Sequence, residues 1–163
     1  MNTKITVRLP YAMQLGSGTY DLEPGITYTG RQGKYAWGSQ LKAALRLGDN
    51  SEDYRLGNSY QLSTWSSYHF DPSISSSLRL TAKTIGDIKG QDDQISTPVQ
   101  TANPDNYGGN FVNLGFGLNW LGQNSFLRGH QIELEYNLPV IQKVKGVQMD
   151  KESMLMFGYR YAF

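Results

Sequence analysis

Apolar and polar residues alternate along most of this chain with a period of two. In residues 19–30 the even positions carry Tyr20, Leu22, Pro24, Ile26 and Tyr28, and the odd positions carry Asp21, Glu23, Gly25, Thr27 and Thr29. Such alternation puts one set on each face of a β-strand. After a Gly-containing turn at 30–33 the phase flips. Tyr35, Trp37, Leu41, Ala43, Leu45 and Leu47 then share one face, and Lys34, Gln40, Lys42 and Arg46 the other. The pattern recurs in 54–70, 74–84, 110–120, 130–138 and 153–163, and more weakly in 4–9, where Ile5, Val7 and Leu9 alternate with Thr6 and Arg8. It predicts about eight strands, most near the roughly 9–11 residues that a tilted strand needs to cross a bilayer, against about five or six in soluble sheets.

The connections alternate in length as well. Segments 30–33, 71–73 and 121–129 are the shorter ones, and 10–18, 48–53, 85–109 and 139–151 the longer. Outer-membrane barrels have short periplasmic turns and long external loops. With Phe163 on the periplasmic side, every shorter connection falls on that side. On the apolar face, Tyr28, Tyr35, Trp37, Tyr68, Phe70, Trp120, Tyr161 and Phe163 then gather at periplasmic ends. Tyr20, Tyr54 and Tyr136 lie toward outer ends, so that two interfacial girdles are expected. The fold class so read is all-β: an antiparallel transmembrane up-and-down β-barrel, one domain over 1–163. Pro24 cannot donate to a ladder and is expected at a bulge or a local edge.

Composition changes this picture little. Mean hydropathy is −0.48, and no stretch approaches the roughly 18 apolar residues of a spanning helix. A barrel strand needs only every second residue to be apolar. The absence of cysteine excludes a disulfide scaffold and a thiolate metal site. A formal charge of +1 makes no case for nucleic acid. Met1, Asn2 and Thr3 run straight into the first strand pattern with no secretory signal before it. The expectation is therefore a C-terminal part of a larger barrel, with Met1 an internal start.

The polar face carries the informative charges: Asp21, Glu23, Lys34, Lys42, Arg46, Arg55, Arg79, Lys83, Glu133, Glu135 and Arg160. Glu23 and Lys42 are expected to be neighbours across the first hairpin. Two readings stay open. These residues line a wetted pore, or they form a salt-bridged plug in a narrow barrel. No catalytic group is read: His69 and His130 map to periplasmic strand ends, and spacing forces no Ser, Asp or Glu beside either. No cofactor or metal site is read. Asp92-Asp93 in the longest loop is taken as solvated, since a calcium site needs more oxygen ligands. Met154 and Met156 fall on the polar face, where a thioether suits an apolar solute path or a plug contact.

The run Leu9-Pro10-Tyr11-Ala12-Met13-Gln14-Leu15-Gly16-Ser17-Gly18-Thr19-Tyr20-Asp21-Leu22 resembles a motif of outer-membrane transporters linked by name to the meta-pathway of phenol degradation. Similar to that family too are Tyr54-Arg55-Leu56-Gly57, Ile132-Glu133-Leu134-Glu135-Tyr136, Leu138-Pro139-Val140, Gly146-Val147-Gln148 and the ending Gly158-Tyr159-Arg160-Tyr161-Ala162-Phe163. The resemblance implies passage of small aromatic or hydrophobic organic molecules across the outer membrane of a Gram-negative bacterium, and no catalytic residues. The expected partners are outer-membrane lipid and lipopolysaccharide, a small-molecule solute, and the barrel-assembly machinery through Phe163. Two alternatives remain: a structural or adhesive eight-strand barrel with a filled lumen, and a soluble lipocalin-like barrel with apolar residues inside. Solubility separates the last from the others. The membrane readings predict that the purified protein stays dispersed only in detergent; sedimentation as a monomer in plain buffer would favour the lipocalin-like reading.

Overall fold

The computed structural model describes residues 8–95 and 98–162. Phe163 and most of the weak strand at 4–9 lie outside the described residues. The strands are β1 Tyr20–Leu22, β2 Gly25–Gln32, β3 Tyr35–Leu47, β4 Tyr54–Arg55, β5 Ser59–His69, β6 Ile74–Ile85, β7 Lys89–Gly90, β8 Gly109–Leu121, β9 His130–Val144 and β10 Met154–Tyr161. Neighbours in sequence are neighbours in space. The main sheet is an antiparallel meander in the order β1/β2, β3, β5, β6, β8, β9, β10. Among the described residues it does not close on itself: β1/β2 and β10 are its two edges.

β1 and β2 are one strand interrupted at Glu23-Pro24. Tyr20 pairs with Leu47, and beyond the gap Gly25 pairs with Lys42 in unchanged register. Pro24 therefore marks no bulge. Its carbonyl still accepts from Ala43 N at 3.0 Å, while its ring nitrogen cannot return the bond. The gap costs one ladder bond on an edge strand, where such a loss is tolerated.

The bulge lies elsewhere. Val112 pairs with Ile141 but Asn113 pairs with Pro139, so Val140 is the extra residue. It lets β9 run past Pro139 to Val144, whereas the alternation ends at Leu138. Reading the strand as stopping there was wrong because a bulge absorbs the missing proline donor and resets the phase. Tyr136 consequently sits well inside β9, opposite Phe116 and Leu155, and not at an outer end.

Chain reversal follows local chemistry. β2 and β3 join through Gly33-Lys34, with Gly33 at φ +57°, the positive φ that tight hairpins require. At the next turn the Asp71 carboxylate accepts from Ser73 N at 2.6 Å and Ile74 N at 2.9 Å, an Asx turn. All short turns lie at one end of the sheet, and the loops 48–58, 86–108 and 145–153 at the other.

The register assigns the faces. Leu41, Leu62, Ala82, Val112 and Ile141 form one cross-strand row on the apolar face. Lys42, Gln61, Lys83, Phe111 and Gln142 form the adjacent row on the polar face. Among the described residues nothing covers the apolar face: Ile26 is 71 % exposed, Leu118 57 % and Phe157 70 %. On the polar face Ser63 is 6 % and Gln131 8 % exposed. This is the reverse of a lipocalin-like arrangement. Soluble monomers rarely expose more than a few hundred Å² of contiguous apolar surface, so this face calls for an apolar solvent.

Aromatic residues gather at the turn end of that face. Tyr35 and Tyr68 rings lie 4.8 Å apart and Tyr68 and Phe70 5.1 Å. Trp120 sits opposite Ile74 and Ile132, and Tyr161 opposite His130. Trp37 lies farther in, its ring where a Cβ on Gly30 would be 2.6 Å away, and Tyr28 farther still, opposite Ser39.

These assignments predict opposite outcomes for one substitution on the two faces. Leu80→Arg should destabilise the membrane-inserted protein by about 2–4 kcal/mol, the cost of a cation near the midplane of a lipid-facing wall. Asn113→Arg on the polar face should cost much less. Unfolding by denaturant in lipid vesicles measures both, and equal losses would show the face assignment to be wrong.

Candidate functional site

The polar face is a set of cross-strand contacts set by strand register. At the long-loop end Asp21 of β1 is ion-paired with Arg46 of β3, and also accepts from Ser17 and Thr19 hydroxyls at 2.7 Å each. Glu23 lies across from Ala44 by register and Lys42 across from Gly25, so the two are diagonal neighbours on the polar face, as expected. The ion pair described in this hairpin is the one between Asp21 and Arg46.

Farther down, Arg79 of β6 reaches Glu135 of β9 at 3.6 Å, past the intervening strand β8. It can do so because β8 presents glycines there. A Cβ on Gly115 would lie 2.8 Å from Asn137 Oδ1 and 3.3 Å from Glu135 Oε1, and one on Gly117 would lie 2.3 Å from Ser77 Oγ. The two glycines make a trough that the ion pair bridges. With Arg79 half exposed, the pair adds at most about 1 kcal/mol of stability; its consequence is to place opposite charges across the trough. Below it, Arg160 donates to Gln131 and Gln131 to Glu133. Trp65 also belongs to this face, across from Gly38. A Cβ on Gly38 would lie 2.3 Å from the indole ring. Sequence reading passed over Trp65 because a lone aromatic on a polar face has no periodic signal.

Arg55 does not lie on this wall. β4 pairs with β7, Tyr54 with Gly90 and Arg55 with Lys89, in a small separate sheet among the loops. Arg55 there faces Asp49 at 3.6 Å. The alternation in 54–70 reads as one strand but is broken after Arg55. Gly57 fits so close to Gly86 that a Cβ would be 1.9 Å from its carbonyl oxygen, and the chain departs from the main sheet there. Tyr54 is accordingly 2 % exposed and is no girdle aromatic.

The loops hold a hydrophobic core of their own. Tyr11 stands in edge contact with Tyr54 at 4.9 Å and with Tyr107 at 5.8 Å, and Ile95 completes the buried set. Asp92 is here, 1 % exposed, not solvated. Its carboxylate accepts from Arg8 Nε at 2.9 Å and Gln94 N at 2.9 Å, and its N–H donates to the Tyr11 hydroxyl at 3.0 Å. Arg8 also meets Glu52 at 3.3 Å. The segment around Tyr11 and the loops 48–58 and 86–108 are thereby tied into one cap. No sequence periodicity signals this cluster, because its members come from three separated loops.

Between cap and sheet lies an open pocket of about 340 Å³. Its sheet side consists of Arg46, Ser59, Lys83, Ile85 and Phe111, all on the polar face, and its cap side includes Tyr11, Gln14 and Tyr107. Among the described residues no group of His, Asp and Glu is arranged to hold a metal ion. His130 at the turn end contacts the Tyr159 hydroxyl through Nδ1 at 2.7 Å.

No family model matches the chain, and no curated protein matches it. Among solved structures it is similar to the COG4313 outer membrane channel from Pseudomonas putida F1, with a TM-score of 0.62 and 17 % identity over 92 % of this chain. The chain spans 51 % of that channel's length. The likeness establishes the fold: an all-β antiparallel meander of the kind found in an outer membrane channel.

Burial raises the Tyr54 and Tyr107 hydroxyls above the ordinary tyrosine pKa. A phenol whose folded pKa is raised stabilises the fold fully below its unfolded pKa, and that contribution is lost as pH rises through the raised value. Ultraviolet titration of tyrosinate should therefore show a late class among the 11 tyrosines. Tyr54→Phe and Tyr107→Phe should each remove part of it. A single ordinary class would show that the cap is not packed in solution.

Proposed function

We propose that this chain forms part of the wall of an outer-membrane channel for small molecules. The observation that carries the reading is the division of the sheet into an exposed apolar face and an opposite polar face bearing charged groups. In a bilayer the first meets lipid and the second encloses a lumen. The likeness to an outer membrane channel agrees with this. On this reading Asp21, Glu23, Lys42, Arg46, Arg79, Lys83, Glu133, Glu135 and Arg160 line the lumen, and the short turns face the periplasm. The aromatics from Tyr35 to Tyr161 sit at the inner interface. The resemblance to transporters named for phenol degradation adds aromatic or hydrophobic organic molecules as solutes, and lipopolysaccharide and the barrel-assembly machinery as partners. Edges β1/β2 and β10 are where the wall continues, since unpaired backbone groups are costly in lipid.

The loop cap supports a second reading, a barrel whose mouth is closed and which serves as an anchor. Planar bilayer recording separates the two. The full-length protein should give discrete conductance steps, and Glu135→Gln, which removes one charge beside the Gly115–Gly117 trough, should shift its cation-to-anion permeability ratio toward anions. Insertion without any conductance would overturn the channel reading in favour of the anchor.

A further inference from the structure

The pocket under the cap keeps an unspent cation. Apart from the Ser59 hydroxyl, its neutral polar side chains are engaged. Gln14 donates to Leu9 O at 3.0 Å and accepts from the Tyr54 hydroxyl at 2.8 Å. Gln148 donates to Gly108 O at 2.8 Å, and Tyr107 donates to Thr101 O at 2.7 Å. One cation is not engaged. The Lys83 side chain, partly buried, has no hydrogen bond or ion pair among the described residues. Arg46 lines the pocket beside it, held to Asp21 through Nη1. No carboxylate lines the pocket among the described residues. The remaining walls include Leu56, Ile88 and Phe111.

A partly buried cation with no counter-charge is relieved by an anion. Solvated inorganic anions gain nothing from apolar walls, whereas an organic anion with a flat apolar body uses both features. We propose that this pocket binds a small aromatic monocarboxylate. The carboxylate pairs with Lys83 Nζ beside the Arg46 guanidinium, and the ring packs on Phe111, Leu56 and Ile88. The volume of about 340 Å³ lies in the range of small-molecule sites. The inference rests on the channel reading, in which this pocket is the first stop for a solute arriving from outside, and it narrows the solute to the anionic members of the aromatic class.

Calorimetric titration of the full-length protein in detergent with benzoate, benzamide and inorganic phosphate tests it. Benzoate should bind about tenfold or more tightly than either of the others, one charge-assisted contact being worth about that factor. Lys83→Gln should weaken benzoate about tenfold and leave benzamide unchanged, while Lys83→Arg should retain most of the benzoate affinity. Equal binding of benzoate and benzamide, equal binding of benzoate and phosphate, or an unaltered Lys83→Gln would each overturn the proposal. Conductance recorded on the same preparations keeps the two claims apart. Steps without benzoate binding sink this inference alone, and Lys83-dependent binding without steps sinks the channel reading.

Discussion

A strand placed in hydrocarbon must give every backbone N–H and C=O a partner, because no water is present to supply one. On the channel reading that constraint shapes the whole main sheet. Each long strand from β3 to β9 is paired on both sides over most of its length, and the meander keeps every pairing antiparallel through short turns. Where a donor is lost, the geometry confines the damage. Pro24 sits on an edge strand and forfeits one bond, and Pro139 sits beside a bulge.

With pairing satisfied by the sheet, side chains need not build a core inside it. The apolar residues point outward, and the polar face carries serine, glycine, asparagine and charged groups. The buried hydrophobic cluster of Tyr11, Tyr54 and Ile95 lies in the loops. This inversion has a simple cause. On the channel reading the loops leave the bilayer and meet water, so there the ordinary hydrophobic effect operates and folds them on one another. Asp92 is tolerated in that cluster because Arg8 and a backbone N–H satisfy its carboxylate. The cap, the pocket beneath it and the trough between Arg79 and Glu135 then succeed one another down the polar face.

Alternation with period two was enough to read most of the sheet. β3 runs from Tyr35 to Leu47, as its pattern predicts, β6 extends one residue beyond prediction at one end, and β8 one residue beyond it at each end. The polar and apolar faces of those strands follow directly, since the pleat allows only two orientations. Alternation misled wherever a loop happened to alternate too. Tyr54, Arg55 and Leu56 continue the pattern of β5 but belong to the cap. It also stopped short at Pro139, because a bulge shifts the phase and pattern reading has no term for the extra residue.

The sequence by itself determined the strands, their faces and the sorting of short turns from long loops, because these depend on neighbours one or two residues apart. Contacts between distant segments were decided only by the tertiary structure. Register chose Asp21, not Glu23, as the partner of an arginine, and brought Arg79 to Glu135 across two glycines. Folding of three loops buried Asp92 and enclosed Lys83 with Phe111 under a cap. Each of these depends on where separate strands and loops come to rest against one another, and a one-dimensional pattern does not carry that distance.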